Sequence, residues 1–173
     1  MDNRGKNPPY YCNDGIPVID NFMIGAREPN LSIANRFIDD ALYSEFIRKY
    51  NEPNDILITL VGNGIGNLSL FPDKKAVIIQ NTLGFRCDNH DKEYCYYQLL
   101  SMNKEIKLLD RGMAQPSIRQ DELLSIQFFI TNLKEEKKIA KLLANLDNLI
   151  TLHQRECEKL KNIKKSLLEK MFV

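Results

Sequence analysis

From Asn132 to Val173 the chain contains neither Gly nor Pro, and its apolar residues recur in heptads. Counted from Ile139, one row holds Ile139, Leu146, His153, Leu160 and Leu167. A second holds Leu142, Leu149, Glu156, Ile163 and Lys170, interleaved at alternating spacings of three and four. That is the a/d seam of a coiled coil. A third row, Leu143, Ile150, Cys157, Lys164 and Met171, widens the stripe, so the helix can pack on more than one neighbour. Asn132 and Glu135 have the spacing of a capping box and mark its start. At about 1.5 Å per residue this rod is roughly 60 Å long. One small domain cannot cover that length, so a partner is implied.

What precedes the rod has room for one domain, 1–131, with the rod occupying 132–173. A hydrophobic content of 43% and a charged content of 27% are those of a folded protein. No apolar run approaches the ~20 residues that cross a bilayer, and the opening MDNRGKNPPYY lacks the apolar core of a signal peptide. The reading is a cytoplasmic protein with no membrane partner. Cys12, Cys87, Cys95 and Cys157 are scattered and suggest reduced thiols rather than a disulfide framework. From Leu133 onward there are 10 basic and 6 acidic residues, leaving 14 basic and 17 acidic elsewhere. A uniformly basic DNA-coating surface is thereby excluded, and any nucleic-acid contact on the domain is local.

Residues 8–30 hold four prolines around Ile16-Pro17-Val18-Ile19, which reads as loops with one edge strand. A short helix is expected between Ser32 and Tyr50, on the spacing of Phe37, Leu42, Phe46 and Ile47. Asp55 to Val61 is a nearly continuous apolar run, a buried strand. Leu68–Phe71, Ala76–Ile79 and Thr82–Arg86 are further extended segments, Tyr94–Leu109 is a helix, and Leu123–Ile130 is a last strand. The fold class is α+β: a strand-rich domain followed by one long C-terminal coiled-coil helix.

No catalytic constellation emerges. Gly62-Asn63-Gly64-Ile65-Gly66 follows a strand, but the Lys and Ser/Thr that close a Walker loop are missing, as is the helix a dinucleotide loop requires. It reads as a tight strand-to-strand turn. Asp73 with Glu105 and Lys107 loosely matches a metal-dependent nuclease, yet Glu105 and Lys107 fall on a helix and point to different faces. Cys87, His90 and Cys95 lack the fourth ligand and the paired spacing of structural zinc. No catalytic residue, metal site or cofactor is assigned. More credible are polar and basic residues in glycine and proline loops, namely Asn63, Asn67, Arg111, Gln115, Ser117 and Arg119. Arg reads guanine, and Asn or Gln reads adenine, in the major groove.

Several segments together resemble the specificity subunit of type I restriction-modification systems. Gly5-Lys6-x-Pro8 and Gly15-Ile16-Pro17-Val18-Ile19 are similar to its early G-K-x-P and g-I-P-x-I segments. Pro53-x-Asp55-Ile56-Leu57-Ile58-Thr59 with Gly62–Gly66 resembles the core of its target recognition domains. Gln80-Asn81 and Gly112-x-x-Gln115-Pro116-Ser117-Ile118 match later segments, and the rod, from Glu135-Glu136-x-x-Ile139-Ala140 to Met171-Phe172, matches its spacer helix. Glu136 stands where the family usually has Gln, and Thr131 where it has Pro. The family's opening segment before G-K-x-P is absent, so a shortened N-terminal part of the domain is expected. The resemblance implies sequence-specific binding of double-stranded DNA. Methylation and cleavage would come from separate modification and restriction subunits, which alone would use S-adenosylmethionine and ATP. That family usually carries two recognition domains on two antiparallel helices; this chain has one of each.

The rod's two polar core residues then set a register. In an antiparallel homodimer a positions face d positions. If His153 faces Glu156 of a second copy, Leu149 meets Leu160, Leu146 meets Ile163 and Leu142 meets Leu167, about a two-fold between Gln154 and Arg155. Slipping one heptad leaves buried polar groups unpaired at about 1–3 kcal/mol each. The expected interface is Ile139, Leu142, Leu146, Leu149, His153, Glu156, Leu160, Ile163 and Leu167, and the expected target an interrupted palindrome. The alternatives are a coiled-coil interaction protein that does not touch DNA, or an inactive truncated recognition cassette.

Overall fold

The computed structural model describes residues 7–45, 51–112 and 114–172. Gly5, Lys6, Phe46, Ile47, Tyr50 and Val173, which figure in the sequence reading, lie outside them. The apolar run after Pro53 forms strand β3 (Ile56–Thr59), central in an antiparallel sheet between β4 (Leu68–Leu70) and β6 (Thr82–Phe85). Both faces of β3 are covered, which is why its sequence does not alternate. Ile56, Ile58 and Leu60 pack with helices α2 (Lys92–Ser101) and α3 (Asn103–Leu108), whereas Leu57 packs among Ile19, Phe71 and Ile78.

The second sheet runs β2-β1-β5, from Phe37–Ile38, Ile16–Ile19 and Val77–Ile78. The edge position expected for β1 is wrong: it is the middle strand. Ile16 and Pro17 lie opposite β2 and Val18 and Ile19 opposite β5, and Val18 N–H donates to the Arg36 carbonyl at 3.0 Å. The ladder therefore never requires the N–H that Pro17 lacks.

Three other expectations are revised. The single helix expected between Ser32 and Tyr50 is a 3-10 turn (Leu31–Ile33), strand β2 and then α1 (Asp40–Glu45). Asp39 Oδ1 accepts from Leu42 N at 2.7 Å, so the helical turn begins only there. The helix expected over Tyr94–Leu109 breaks at Met102 (φ −94°, ψ 13°) into α2 and α3. The strand expected over Leu123–Ile130 is instead α4 (Gln120–Leu124) followed by irregular chain. Asp121 and Glu122 favour a helix first turn. Beyond it, Phe129 finds a side chain where a neighbouring strand would be: its N–H donates to Gln98 Oε1 at 3.0 Å, and its carbonyl accepts from Gln98 Nε2.

The rod is helix α5 (Leu133–Met171), capped by Asn132, whose side chain accepts from Glu135 N at 3.0 Å. Glu135 turns its carboxylate toward Lys138 instead of closing the box. The first turns dock on α2 through Glu136, Ala140 and Ala144, with Leu143 against the same core, and Tyr97 Oη donates to Asp147 at 2.7 Å. Small Ala side chains let the two helices approach closely. After Asp147 the rod stands clear of the domain. Among the described residues no helix is long and apolar enough to cross a membrane.

Candidate nucleic-acid interface

The turn after β3 holds three glycines at positive φ, Gly62 (89°), Gly64 (84°) and Gly66 (75°), a conformation that side chains resist. Gly66 N–H donates to the Thr59 carbonyl at 2.9 Å and Asn67 N–H to the Gly64 carbonyl at 2.8 Å, closing the turn. Asn21 braces it from outside, its Nδ2 donating to the Val61 carbonyl at 2.6 Å. On the other side Asn103 Nδ2 donates to the Gly66 carbonyl at 2.6 Å. The stem of Lys107 crosses Gly66 so closely that a Cβ there would lie 3.0 Å from Lys107 Cγ. Lys107 itself is exposed beside the turn.

The second loop, 110–119, is organised by Asp110. Its Oδ1 accepts from Gly112 N at 2.9 Å and Ser117 N at 2.8 Å, and these two N–H groups hold its carboxyl below the ordinary value. Arg111 N–H donates to the Ser117 carbonyl at 3.0 Å. At Gly112 a Cβ would stand 1.7 Å from the Gln115 carbonyl oxygen, so only glycine fits. This loop is stitched to the first: Gly62 N–H donates to the Pro116 carbonyl at 2.9 Å, Ile118 N–H to the Leu60 carbonyl at 2.9 Å, and Val61 bridges Ser117. A Cβ on Gly62 would sit 3.7 Å from Gln115 Nε2.

Two loops some fifty residues apart in sequence thus form one edge. Asn63 and Gln115 are exposed on it and Ser117 is half-buried within it. Asn67 is at the same place but turned inward, its Nδ2 donating to the Ile24 carbonyl at 3.2 Å, so its amide holds the turn. Arg111 and Arg119 flank the edge, each engaged by an acid of α4. Arg111 pairs with Glu122, with side-chain exposures of 68% and 19%. Arg119 Nε and Nη2 reach Asp121 at 3.2 and 3.0 Å, both residues being about two-thirds exposed. The other Glu122 oxygen is buried with no hydrogen-bond partner. An orphaned buried acceptor costs about 1–3 kcal/mol, whereas a pair with so exposed a cation returns at most about 1 kcal/mol. Stability alone does not account for an acid at this position.

Two buried carboxylates lie elsewhere in the domain. Asp55 bonds Arg86 at 2.9 and 2.7 Å, Lys92 at 3.0 Å and the N–H of Glu52 at 2.8 Å. Burial pushes its carboxyl up, but these partners hold it below the ordinary value. Glu136 accepts from the N–H of Asp91 at 3.0 Å and of Thr131 at 3.4 Å, and lies 2.9 Å from His90 Nδ1. The sequence reading missed Asn21 and Asp110, and weighed Lys107 only in the nuclease pattern it set aside. For Asp110 a signal existed, because Asp-x-Gly is a turn signature in which the carboxylate closes the loop.

Residues 25–162 match the family described as the type I restriction modification DNA specificity domain. Among curated relatives, the chain is 26% identical over 147 residues to the MjaVIII type I restriction enzyme specificity subunit of Methanocaldococcus jannaschii, covering 81% of this chain and 34% of that protein. It is 27% identical over 170 residues to the putative MjaX specificity subunit of the same organism, covering 95% and 38%. The chain thus spans little more than a third of the length of these relatives. Among solved structures it resembles the S subunit of a type I restriction-modification system from M. genitalium, at TM-score 0.66 and 19% identity, covering 99% of this chain and 43% of that one. The HsdS subunit of Thermoanaerobacter tengcongensis gives TM-score 0.61 at 16% identity, covering 98% and 41%. At these identities the likeness is one of fold.

Proposed function

Because the chain belongs to the type I restriction modification DNA specificity domain family, we propose that it is a DNA-recognition subunit with a recognition domain over 1–131 and a spacer and dimerisation helix over 132–173. It reads double-stranded DNA and performs no catalysis of its own. Modification and restriction subunits, with S-adenosylmethionine and ATP, supply methylation and cleavage in the complex it joins. The observation that carries this reading is the stitching of the 62–66 and 110–119 loops into one rigid edge bearing Asn63, Gln115 and Ser117, with Arg111 and Arg119 beside it. Side chains so held can present base-reading amides and guanidinium groups in fixed register, while Lys107 contacts phosphate.

The rod supplies the second half of the proposal. Its a/d seam is not the face docked on α2: Leu142 and Leu146 remain 61% and 47% exposed although the neighbouring Ala140 and Ala144 are buried. Farther along, Leu160 and Ile163 are 65% and 55% exposed. A second copy can occupy the seam without displacing the domain, and an antiparallel pair sets two recognition edges about a two-fold axis. Selection of sites from a random duplex pool, followed by footprinting, should give an interrupted palindrome of constant gap, with half-sites near one helical turn, about 34 Å, or a multiple of it. Asymmetric sites or a variable gap would defeat the dimer. Lack of any salt-dependent DNA binding would leave a coiled-coil interaction protein.

A further inference from the structure

The two arginines that flank the proposed reading edge are both held by neighbouring acids of α4, Glu122 for Arg111 and Asp121 for Arg119. Both acids favour the first turn of α4, but that role does not require either to hold an arginine. Glu122 keeps one buried oxygen without a partner, and the Asp121 carboxylate is mostly exposed. Asp121 occupies the Nε and Nη2 donors of Arg119, and Glu122 contacts Nη2 of Arg111, donors that a nucleic-acid acceptor would contest. A guanidinium fork fits a guanine edge bidentately through O6 and N7, and it accepts a phosphate as readily as a carboxylate. A generic duplex offers phosphates everywhere, so free arginines beside the edge would bind any sequence.

We propose that Glu122 and Asp121 determine the DNA selectivity of this chain: they compete with phosphate for Arg111 and Arg119, and yield those side chains only when matching base edges are presented. This rests on the DNA-reading function above. It differs from a general charge effect in one respect, because each acid acts through a particular arginine.

The test uses the full chain, the best duplex selected from a random pool, and a scrambled duplex of equal length. Glu122→Gln and Asp121→Asn, near-isosteric changes at a largely buried and a mostly exposed group, should raise affinity for the scrambled duplex by about three- to tenfold, and steepen the salt dependence by about one released counterion. Affinity for the selected duplex should rise less, so the selectivity ratio falls. In an Arg111→Ala background, Glu122→Gln should then have no effect on either duplex. If it tightens binding equally with or without Arg111, the acid acts only through bulk charge and the proposal is overturned. If the acid variants leave selectivity unchanged while Arg111→Ala and Arg119→Ala weaken binding, the proposal fails and the DNA reading stands. If the arginine variants change nothing, both fall.

Discussion

The buried carboxylate of Glu136 accepts the backbone N–H of Asp91 at 3.0 Å, tying the first turns of the rod to the cap of α2. The same carboxylate takes Thr131 N–H at 3.4 Å and faces His90 Nδ1 at 2.9 Å, so it fixes how the rod leaves the domain.

Removing that carboxylate strands two backbone donors. Glu136→Ala should destabilise the chain by about 1–3 kcal/mol in urea unfolding at neutral pH. Burial raises the Glu136 carboxyl, but the Asp91 N–H, His90 and the Thr131 N–H outweigh it, and the net shift is below the ordinary value of 4.5. A folded-state value below the unfolded one means the contribution is fully present above pH 4.5 and is lost as pH falls through the folded value. Glu136→Gln keeps one acceptor and does not titrate, so its stability should fall less steeply in that acid window. Equal slopes for the two proteins would remove Glu136 from the acid response.

Loop shape should govern DNA binding as strongly as loop chemistry does. Gly112→Ala places a Cβ 1.7 Å from the Gln115 carbonyl oxygen, a backbone clash that no rotamer relieves. It should open the 110–119 loop and abolish selective binding while the rod stays helical by circular dichroism. Gly66→Ala combines φ 75° with a Cβ 3.0 Å from the flexible stem of Lys107. Its cost is mainly conformational, about 1–2 kcal/mol of stability, with selectivity largely kept. Unimpaired selection by Gly112→Ala would show that the loop does not contact DNA.

The parts of this architecture that were legible in the sequence are those a single element encodes. β3 announced itself by a nearly continuous apolar run between Pro53 and Gly62, and the rod by its heptads and the Asn132 cap. The glycine turn joins antiparallel strands as its residues suggested. What stayed hidden depends on segments distant in the chain. Pro17 argued for an edge, and only the divided pairing of β1 resolves that. Leu123–Ile130 has strand-like residues, but Gln98 satisfies the Phe129 backbone before any strand can. At the candidate site the residue types were readable, whereas the inward turn of Asn67 and the occupation of both arginines by α4 were not. Those follow from contacts to Ile24, Asp121 and Glu122 that no local pattern encodes.

Lys107 and Gln115 should separate affinity from sequence choice. Lys107→Ala, which removes an exposed cation beside the glycine turn, should weaken binding to matched and scrambled duplexes alike and reduce the salt slope by about 1. Gln115→Ala should instead change which bases are selected, lowering discrimination at one position by about 1–3 kcal/mol and leaving the salt slope in place. Competition binding at several salt concentrations resolves the two patterns, and interchanged outcomes would mean that the edge is oriented differently on DNA.

The register of the rod can be settled with cysteines. Within one chain His153 Nδ1 lies 3.1 Å from Glu156 Oε2, and both are more than half exposed, so the pair is formed without being buried. An antiparallel two-fold axis between Gln154 and Arg155 would bring the two such pairs together, each histidine facing a glutamate of the other copy, with Leu149 opposite Leu160. With Cys157 replaced by Ser, a chain carrying both Leu149→Cys and Leu160→Cys should form covalent dimers under mild oxidation. Leu149→Cys alone should not, because the two copies of residue 149 would lie about 16 Å apart along the axis at 1.5 Å per residue. That separation is beyond the reach of a disulfide. A parallel dimer would cross-link the single variant as well as the double one, because residue 149 then faces its own copy. A slip of one heptad spares the single variant but leaves the double variant monomeric. It also sets His153 against Leu149 or Ile163, at about 1–3 kcal/mol per unpaired polar group. Covalent dimers from the double variant alone would therefore support the antiparallel arrangement and the register together.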